Sequence, residues 1–338
     1  MDNSDITRQL KARALDLGFD DCGIADPSLE SDDGLDAWLA QGKHNGLQWL
    51  KKSRDKRQHI DLVLPGVRSV IVTASNYYHP GSKAQYGHAR IARYAWRRDY
   101  HRVILPRLKC LAAWIEHTLP GTKCYCSTDT GPVRERPWAA RAGLGWIGRN
   151  SLLIHPIYGS WMHLGIILCT AELVPDKPMP DHCGSCKRCL IFCPTDAIEP
   201  GRVIDTRKCI ACQTIESRSC ETTLPSHNWV FGCDLCQEAC PVNLQLQRED
   251  TTLEAPRQSF ANLTLEELSS ISEEEYLTYF AGTPIMRAGH AAMQRFARHA
   301  LTALPQTEGT LQHKKEGAIS TETAPFFSKR LRIDLKRV

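Results

Sequence analysis

A chain of 338 residues with 42% hydrophobic and 24% charged side chains can bury a sizeable core and fill two or three domains. Its formal net charge of +4 excludes a global polyelectrolyte attraction to nucleic acid, so any such contact has to come from a local patch. The N-terminal stretch MDNSDITRQLKARALDLGF carries acids and lacks both an apolar core of signal length and a twin arginine. The expectation is a cytoplasmic, reducing location, in which fifteen cysteines serve as metal ligands rather than disulfides.

Taken in chain order, Ile6, Leu10, Ala14 and Leu17 recur at helical spacing. The runs SVIVTAS (69–75), SLLIHP (151–156) and HLGIILCTAEL (163–173) are strand-like. Between them Ile104, Leu108, Leu111 and Ile115 mark a helix that stops before Pro120-Gly121. No segment reaches the roughly 18 uninterrupted apolar residues of a membrane span. From Arg90 to Lys109 seven basic residues face one acid, Asp99, and a basic helix there could meet phosphates. Arg218, Arg287, Arg295 and Arg298 are further candidates for phosphate contact.

RAGLGWIGRN places Gly143, Gly145 and Gly148 in a G-x-G-x-x-G pattern. A dinucleotide-binding turn must follow a strand and open a helix. Here a helical composition (VRERPWAARA) precedes the glycines and a strand-like run follows, so that reading fails on context. DYHRVI, Asp99 to Ile104, falls one glycine short of the D-x-H-x-x-G pattern that supplies a histidine to a corrinoid cobalt. His101 is therefore expected to make a polar contact rather than to ligate cobalt.

At PDKPMPDHC the composition changes, with three prolines ending the first domain. Ten of the fifteen cysteines then fall between Cys183 and Cys240. HCGSCKRCLIFCP reads C-x₂-C-x₂-C-x₃-C-P, the bacterial ferredoxin run, in which the fourth cysteine serves a second cluster. GCDLCQEACP supplies the other group. By that exchange Cys183, Cys186, Cys189 and Cys240 hold one 4Fe–4S cluster, while Cys193, Cys233 and Cys236 need one more ligand from Cys209, Cys212 or Cys220. Structural zinc fits this order and its two Cys-Pro endings less well. Beyond Pro256, LTLEELSSISEEEYLTYF and PIMRAGHAAMQRFARHALTAL are helical, and the chain from Gln306 is a polar tail.

STDTGPVRERPWAARAGLGWIGRNSLLIHP, together with KRQHIDLVLPGVRSVIV, RYAWRRDYH and FGCDLCQEACP, resembles the epoxyqueuosine reductase family from about residue 5 to residue 303. The resemblance implies an α+β fold in four parts. These are an α/β corrinoid-binding catalytic domain (1–177), a two-cluster ferredoxin-like module (178–245), a HEAT-like helical pair (246–305) and the tail (306–338). It implies cobalamin as a cofactor beside the two 4Fe–4S clusters. It also implies a tRNA substrate, whose wobble epoxyqueuosine is reduced to queuosine.

On the resemblance, Cys209 completes the second cluster with Cys193, Cys233 and Cys236. Asp129 aligns with the family's proton donor. Arg57, Asp129, the backbone around Leu153 and the Cys233–Asp234 turn fall where the family contacts cobalamin, and the glycine triplet becomes a close-approach loop against the corrin. An aspartate able to donate a proton must be desolvated, and Trp146, Ile147 and Trp161 are the expected cover for Asp129. The partners implied are the anticodon stem-loop and a low-potential electron donor, with the protein a monomer away from the membrane. Two other readings are a corrinoid dehalogenase-like enzyme acting on a small molecule and a corrinoid-activating electron-transfer protein.

Overall fold

The computed structural model describes residues 2–29, 34–80, 87–217, 224–245 and 262–303. Its described strands are β1 (Asp21–Ala25), β2 (Ser69–Asn76), β3 (Arg90–Ile91), β4 (Cys124–Ser127), β5 (Trp146–Ile147), β6 (Leu153–Ile154), β7 (Met162–Cys169), β8 (Ile198–Glu199), β9 (Val203–Ile204) and β10 (Trp229–Phe231). The main sheet runs β1-β2-β7-β4, each neighbouring pair antiparallel. Every residue of β2 is buried, because it has a strand on each side and helices over both faces.

The alternation of side chains along these strands divides the core in two. Ile24, Ile71, Ile167 and Cys169 face one side. There they meet Ile6, Leu10 and Ala14 of α1 (Asn3–Asp16), together with Ile104, Leu108, Leu111 and Ile115. Ala25, Val70, Val72, Ala74, Ile166 and Leu168 face the other side, against Ile60, Trp138 and Ala139. A fully buried Leu or Ile contributes about 1.5–3 kcal/mol, so both faces matter to stability. The class is α+β, as expected.

Three short helices follow β1: α2 (Leu35–Ala40), α3 (Gln48–Lys52) and α4 (Arg54–Gln58). The expected basic helix over 90–109 is not one element. Arg90–Ile91 is a strand and Arg93–Ala95 a 3₁₀ turn, and only from His101 does the helix α5 (His101–Thr118) begin. The reason is that β3 pairs in parallel with β10, far along the chain, which holds Arg90 and Ile91 extended. SLLIHP contributes only Leu153–Ile154 to a strand, because β6 pairs with the two-residue β5 and His155 then turns back onto Gly159.

After β4 comes α6 (Glu135–Arg141). The cysteine-rich segment is built from short pieces: α7 (Arg188–Ile191), the β8–β9 hairpin, α8 (Ile210–Glu216), α9 (Leu235–Glu238) and α10 (Pro241–Gln245). The C-terminal helices are α11 (Leu265–Ser270), α12 (Glu273–Phe280) and α13 (His290–Thr302). Thr264 with Glu267 and Ser272 with Glu275 form capping boxes at the starts of α11 and α12. The described residues up to Ala303 form one compact unit. The polar tail, Arg218 and Cys220 lie outside the described residues. Among the described residues no helix is long and apolar enough to cross a membrane.

Candidate active site and cluster ligands

β4 ends at Ser127, and the chain turns there. The Thr128 hydroxyl donates to the Leu164 carbonyl of β7 at 2.8 Å, anchoring the loop. Asp129 then takes a left-handed conformation, φ +55°, uncommon outside glycine. Across from it stands His101, the first residue of α5, with Nε2 3.4 Å from Asp129 Oδ2. On its other side His101 Nδ1 lies 2.6 Å from Asp99 Oδ1, which also accepts the His101 backbone N–H at 3.0 Å. Tyr100 stacks between His101 (ring centroids 4.1 Å apart) and His163 (4.3 Å). Its phenol is hydrogen-bonded to Asp129.

Charge follows from this arrangement. Burial works against a protonated His101, but the carboxylates of Asp129 and Asp99 outweigh it and push the imidazole up to about 9. Burial would raise Asp129, yet its bonds to His101 and Tyr100 prevail and hold it below the usual carboxylate range. The Asp129 side chain is in any case 61% exposed. His163, fully buried beside these groups, is pushed down to about 3 and stays neutral.

The expected apolar cover over Asp129 therefore does not set its proton affinity. Trp146 instead packs with Ile154 and Val242 beside Cys183 and Cys240. Trp161 joins Tyr77 and Tyr78, with the Arg93 guanidinium 5.0 Å from its ring. Ile147 belongs to the core behind the sheet.

Arg57, buried on α4, donates to the Gly131 carbonyl at 3.0 Å and to Ser53 Oγ at 2.9 Å. It thereby holds the loop that follows Asp129. Arg134 donates back to the Arg57 carbonyl at 2.9 Å. Next to them Glu135 keeps Oε1 buried without a hydrogen-bond partner, and burial, helped by the Asp129 charge, pushes its carboxyl up to about 7. Sequence reasoning passed over Glu135, since nothing in its neighbours marks a buried carboxyl. Leu153 is buried in the core behind the sheet, and its backbone pairs with Ile147 in the β5–β6 hairpin.

The glycine triplet packs against the chain itself. A Cβ on Gly143 (φ +75°) would lie 2.7 Å from the Lys177 carbonyl oxygen, and one on Gly145 would lie 2.2 Å from that of Ile154. A side chain on Gly148 would meet Ile154 as well. At Gly143 and Gly145 the neighbouring backbone alone leaves no room for a side chain.

Cys183, Cys186, Cys189 and Cys240 line one pocket with Arg149, Asn150, Ile154 and Pro241, around a space of about 280 Å³ partly open to solvent. The other expected ligands are also neighbours. Burial and the proximity of Cys193 push the Cys209 thiol up, and burial with Cys233 and Cys209 does the same to Cys236. Cys193 Sγ accepts the Ala197 N–H at 3.3 Å. Cys212 is turned toward Thr206 and Asn45.

Asp234 is 1% exposed. Its carboxylate accepts the Arg93 N–H at 2.8 Å and Gln237 Nε2 at 3.0 Å, and burial pushes it up to about 6. Arg93 Nη1 and Arg90 Nη2 each reach Glu238 at 2.8 Å. Gln237 Oε1 accepts Ser160 Oγ at 2.9 Å, and Asn243 donates to Ser160 Oγ at 2.8 Å. This network binds α9, which carries Cys236, and α10, which follows Cys240, to the sheet.

Two residues expected to meet phosphates, Arg90 and Arg93, are thus spent inside the protein, and Arg107 donates to the Gly18 carbonyl at 2.9 Å. Arg287 forms a two-pronged pair with Glu216 at 3.0 and 2.8 Å. Arg295 and Arg298 donate to the carbonyls of Ser217 and Ser269 at 3.2 and 3.0 Å. Of the basic run, Arg98, Arg102 and Lys109 are exposed.

Two family models match the chain. One, described as epoxyqueuosine reductase QueG, DUF1730, covers residues 57–130, and one described as a 4Fe-4S double cluster binding domain covers residues 182–243. A relative from Gloeobacter violaceus named epoxyqueuosine reductase is 44% identical over 308 residues, 87% of this chain and 95% of its own. Among solved structures, epoxyqueuosine reductase from Bacillus subtilis with its catalytic aspartate loop swung out of the active site superposes with a TM-score of 0.78. It is 26% identical and covers 89% of this chain and 82% of that one. An epoxyqueuosine reductase structure with an epoxyqueuosine-modified tRNA-Tyr stem loop gives 0.77 at 26% identity, with coverages of 89% and 82%.

Proposed function

The chain belongs to the epoxyqueuosine reductase family, and from that premise we propose that it reduces epoxyqueuosine to queuosine at the wobble position of tRNA. The observation that carries the reading is one compact unit joining two groups of four cysteines to a proton-holding His101–Asp129 pair. Removing the epoxide oxygen as water consumes two electrons and two protons, so a site for it needs both an electron route and a proton source.

Four thiols placed around a space, rather than converging on a point, are a donor set for a cubane. Among the described residues no group of three or more His, Cys, Asp or Glu side chains is set to hold a single metal ion. Cys183, Cys186, Cys189 and Cys240 hold one 4Fe–4S cluster, and Cys193, Cys209, Cys233 and Cys236 the other. Cys189 also contributes to raising the Cys236 thiol, which supports a close approach of the two groups.

The buried Glu135 Oε1, without a hydrogen-bond partner beside Arg57, fits a polar group of a bound cobalamin. Bound there, that cofactor would supply low-potential reducing equivalents. Arg57 holds the Asp129 loop in place, and the backbone around Leu153 and the Cys233–Asp234 turn would hold the cofactor.

The proton is stored on His101. Asp99 fixes the imidazole by its Nδ1 and keeps it charged, and Nε2 faces Asp129. Asp129, more exposed than His101, presents the proton to the epoxide oxygen and is refilled from the histidine. To reach this site the wobble nucleoside leaves the anticodon stack, as bases must when an enzyme works on them. The exposed Arg102 and Lys109 of the basic run are candidate phosphate contacts. A low-potential electron donor completes the scheme.

Anaerobic reconstitution with iron, sulfide and cobalamin, followed by mass analysis of the wobble nucleoside, tests the proposal. The expected result is loss of one oxygen from epoxyqueuosine in the presence of a strong reductant. Fully loaded protein that leaves the epoxide intact overturns it.

A further inference from the structure

We propose that Cys124 and Cys169 form a reversible cross-strand disulfide, a thiol-oxidation site on the strand that leads into the Asp129 loop. Cys124 opens the edge strand β4, and its Cα partner on β7 is Cys169. The adjoining rung decides their geometry. Thr170 N–H donates to the Lys123 carbonyl at 3.1 Å, so 123 and 170 are a hydrogen-bonded pair and 124 and 169 fall on the next, non-hydrogen-bonded rung. The Cys169 carbonyl accordingly turns the other way and accepts the Arg68 N–H at 2.8 Å.

On such a rung Cα atoms lie about 4.5 Å apart with side chains at their closest, within the roughly 4.4–6.8 Å that a disulfide spans. Both thiols lie on the face of the sheet covered by α1 and α5, and they are hydrogen-bonded to each other. The Ala171 N–H donates to Cys169 Sγ at 3.4 Å. Neither residue belongs to the two groups of cluster ligands, so the pair is free for other chemistry.

Exposure makes the pair directional. Cys169 is fully buried, whereas Cys124 is half-buried at the sheet edge. A small hydroperoxide reaches Cys124 first: its sulfur is oxidised to sulfenic acid as the O–O bond breaks and an alcohol leaves. The Cys169 sulfur then attacks Cys124 Sγ, forming S–S and releasing water, with the two electrons of the dithiol now on the peroxide oxygens. Thiol reductants reverse it. Closure ties the edge strand covalently to its neighbour shortly before Ser127 and Asp129, restraining the base of that loop.

The test uses the full-length protein, treated anaerobically with diamide, alkylated and digested without reductant. Mass mapping is expected to find the Cys124 peptide joined to the Cys169 peptide, and to find them separate after dithiothreitol. In C124S, Cys169 is expected to be recovered as a single alkylated thiol. Wild-type protein in which both residues stay alkylated and unlinked overturns the proposal, as does a C124S protein in which Cys169 pairs with another cysteine.

Discussion

His101 Nε2 stands 3.4 Å from Asp129 Oδ2, at the meeting of a helix start and a strand end that are distant in sequence. Their contact raises the imidazole and lowers the carboxyl, so under the proposed mechanism the proton that Asp129 passes on comes from His101. Asp129→Asn keeps the size and removes the acid. Turnover is expected to fall by about 10²–10⁴-fold, while iron content and cobalamin uptake, read by absorption spectra, stay as in the wild type.

The pH dependence follows from His101. Its folded-state value of about 9 lies above the ordinary 6.5. The associated stabilisation is therefore complete below the ordinary value and is lost as pH rises through about 9. At 1.36 kcal/mol per unit the full shift corresponds to about 3.4 kcal/mol, which solvent screening of the part-exposed ring reduces. The rate should have an alkaline limb near the same pH, since the stored proton is then gone. In His101→Asn that limb should vanish along with most of the activity, and a limb that persists unchanged assigns it to another group.

Arg93 serves the buried carboxylate of Asp234 and the half-buried one of Glu238. Arg93→Ala leaves the buried Asp234 without its nearest cation while Arg90 still pairs with Glu238, and loss of one partner of a buried pair costs about 3–5 kcal/mol. Chemical denaturation should show a loss of that order. Hydrogen exchange should rise first in α9 and α10, which the same network attaches to the sheet.

Cys240 lies with the first three ferredoxin cysteines around one pocket. Cys240→Ser should lower the iron of anaerobically prepared protein from about eight to about four per chain. Cys212→Ser, at a thiol turned toward Thr206 and Asn45, should leave iron unchanged. Equal iron loss in both variants would contradict the ligand assignment.

Gly145 has no room for a methyl group, because its Cβ would sit 2.2 Å from the Ile154 carbonyl oxygen. Gly145→Ala should cost about 1–3 kcal/mol, read as a lowered melting temperature. A normal melting temperature would mean that the loop yields freely.

The sequence by itself determined the features whose causes are local. The spacing of Cys183, Cys186 and Cys189 puts three thiols on one short loop, and the distant Cys240 joins them as the ferredoxin pattern predicts. Apolar periodicity marked α1, α5, β2 and β7, because the side that a residue faces depends only on its place in the helix or strand. What depends on partners far along the chain was decided by the tertiary structure. The basic run read as a phosphate-binding helix, yet Arg90 and Arg93 turn inward because β3 pairs with β10 and brings Asp234 and Glu238 to them. Asp129 was expected to be dried by tryptophans, whereas His101 and Tyr100 set its charge. Glu135 gained its raised proton affinity only when folding enclosed it beside Asp129. A proton's energy depends on the charges and water within a few ångströms, and only the folded chain brings those together.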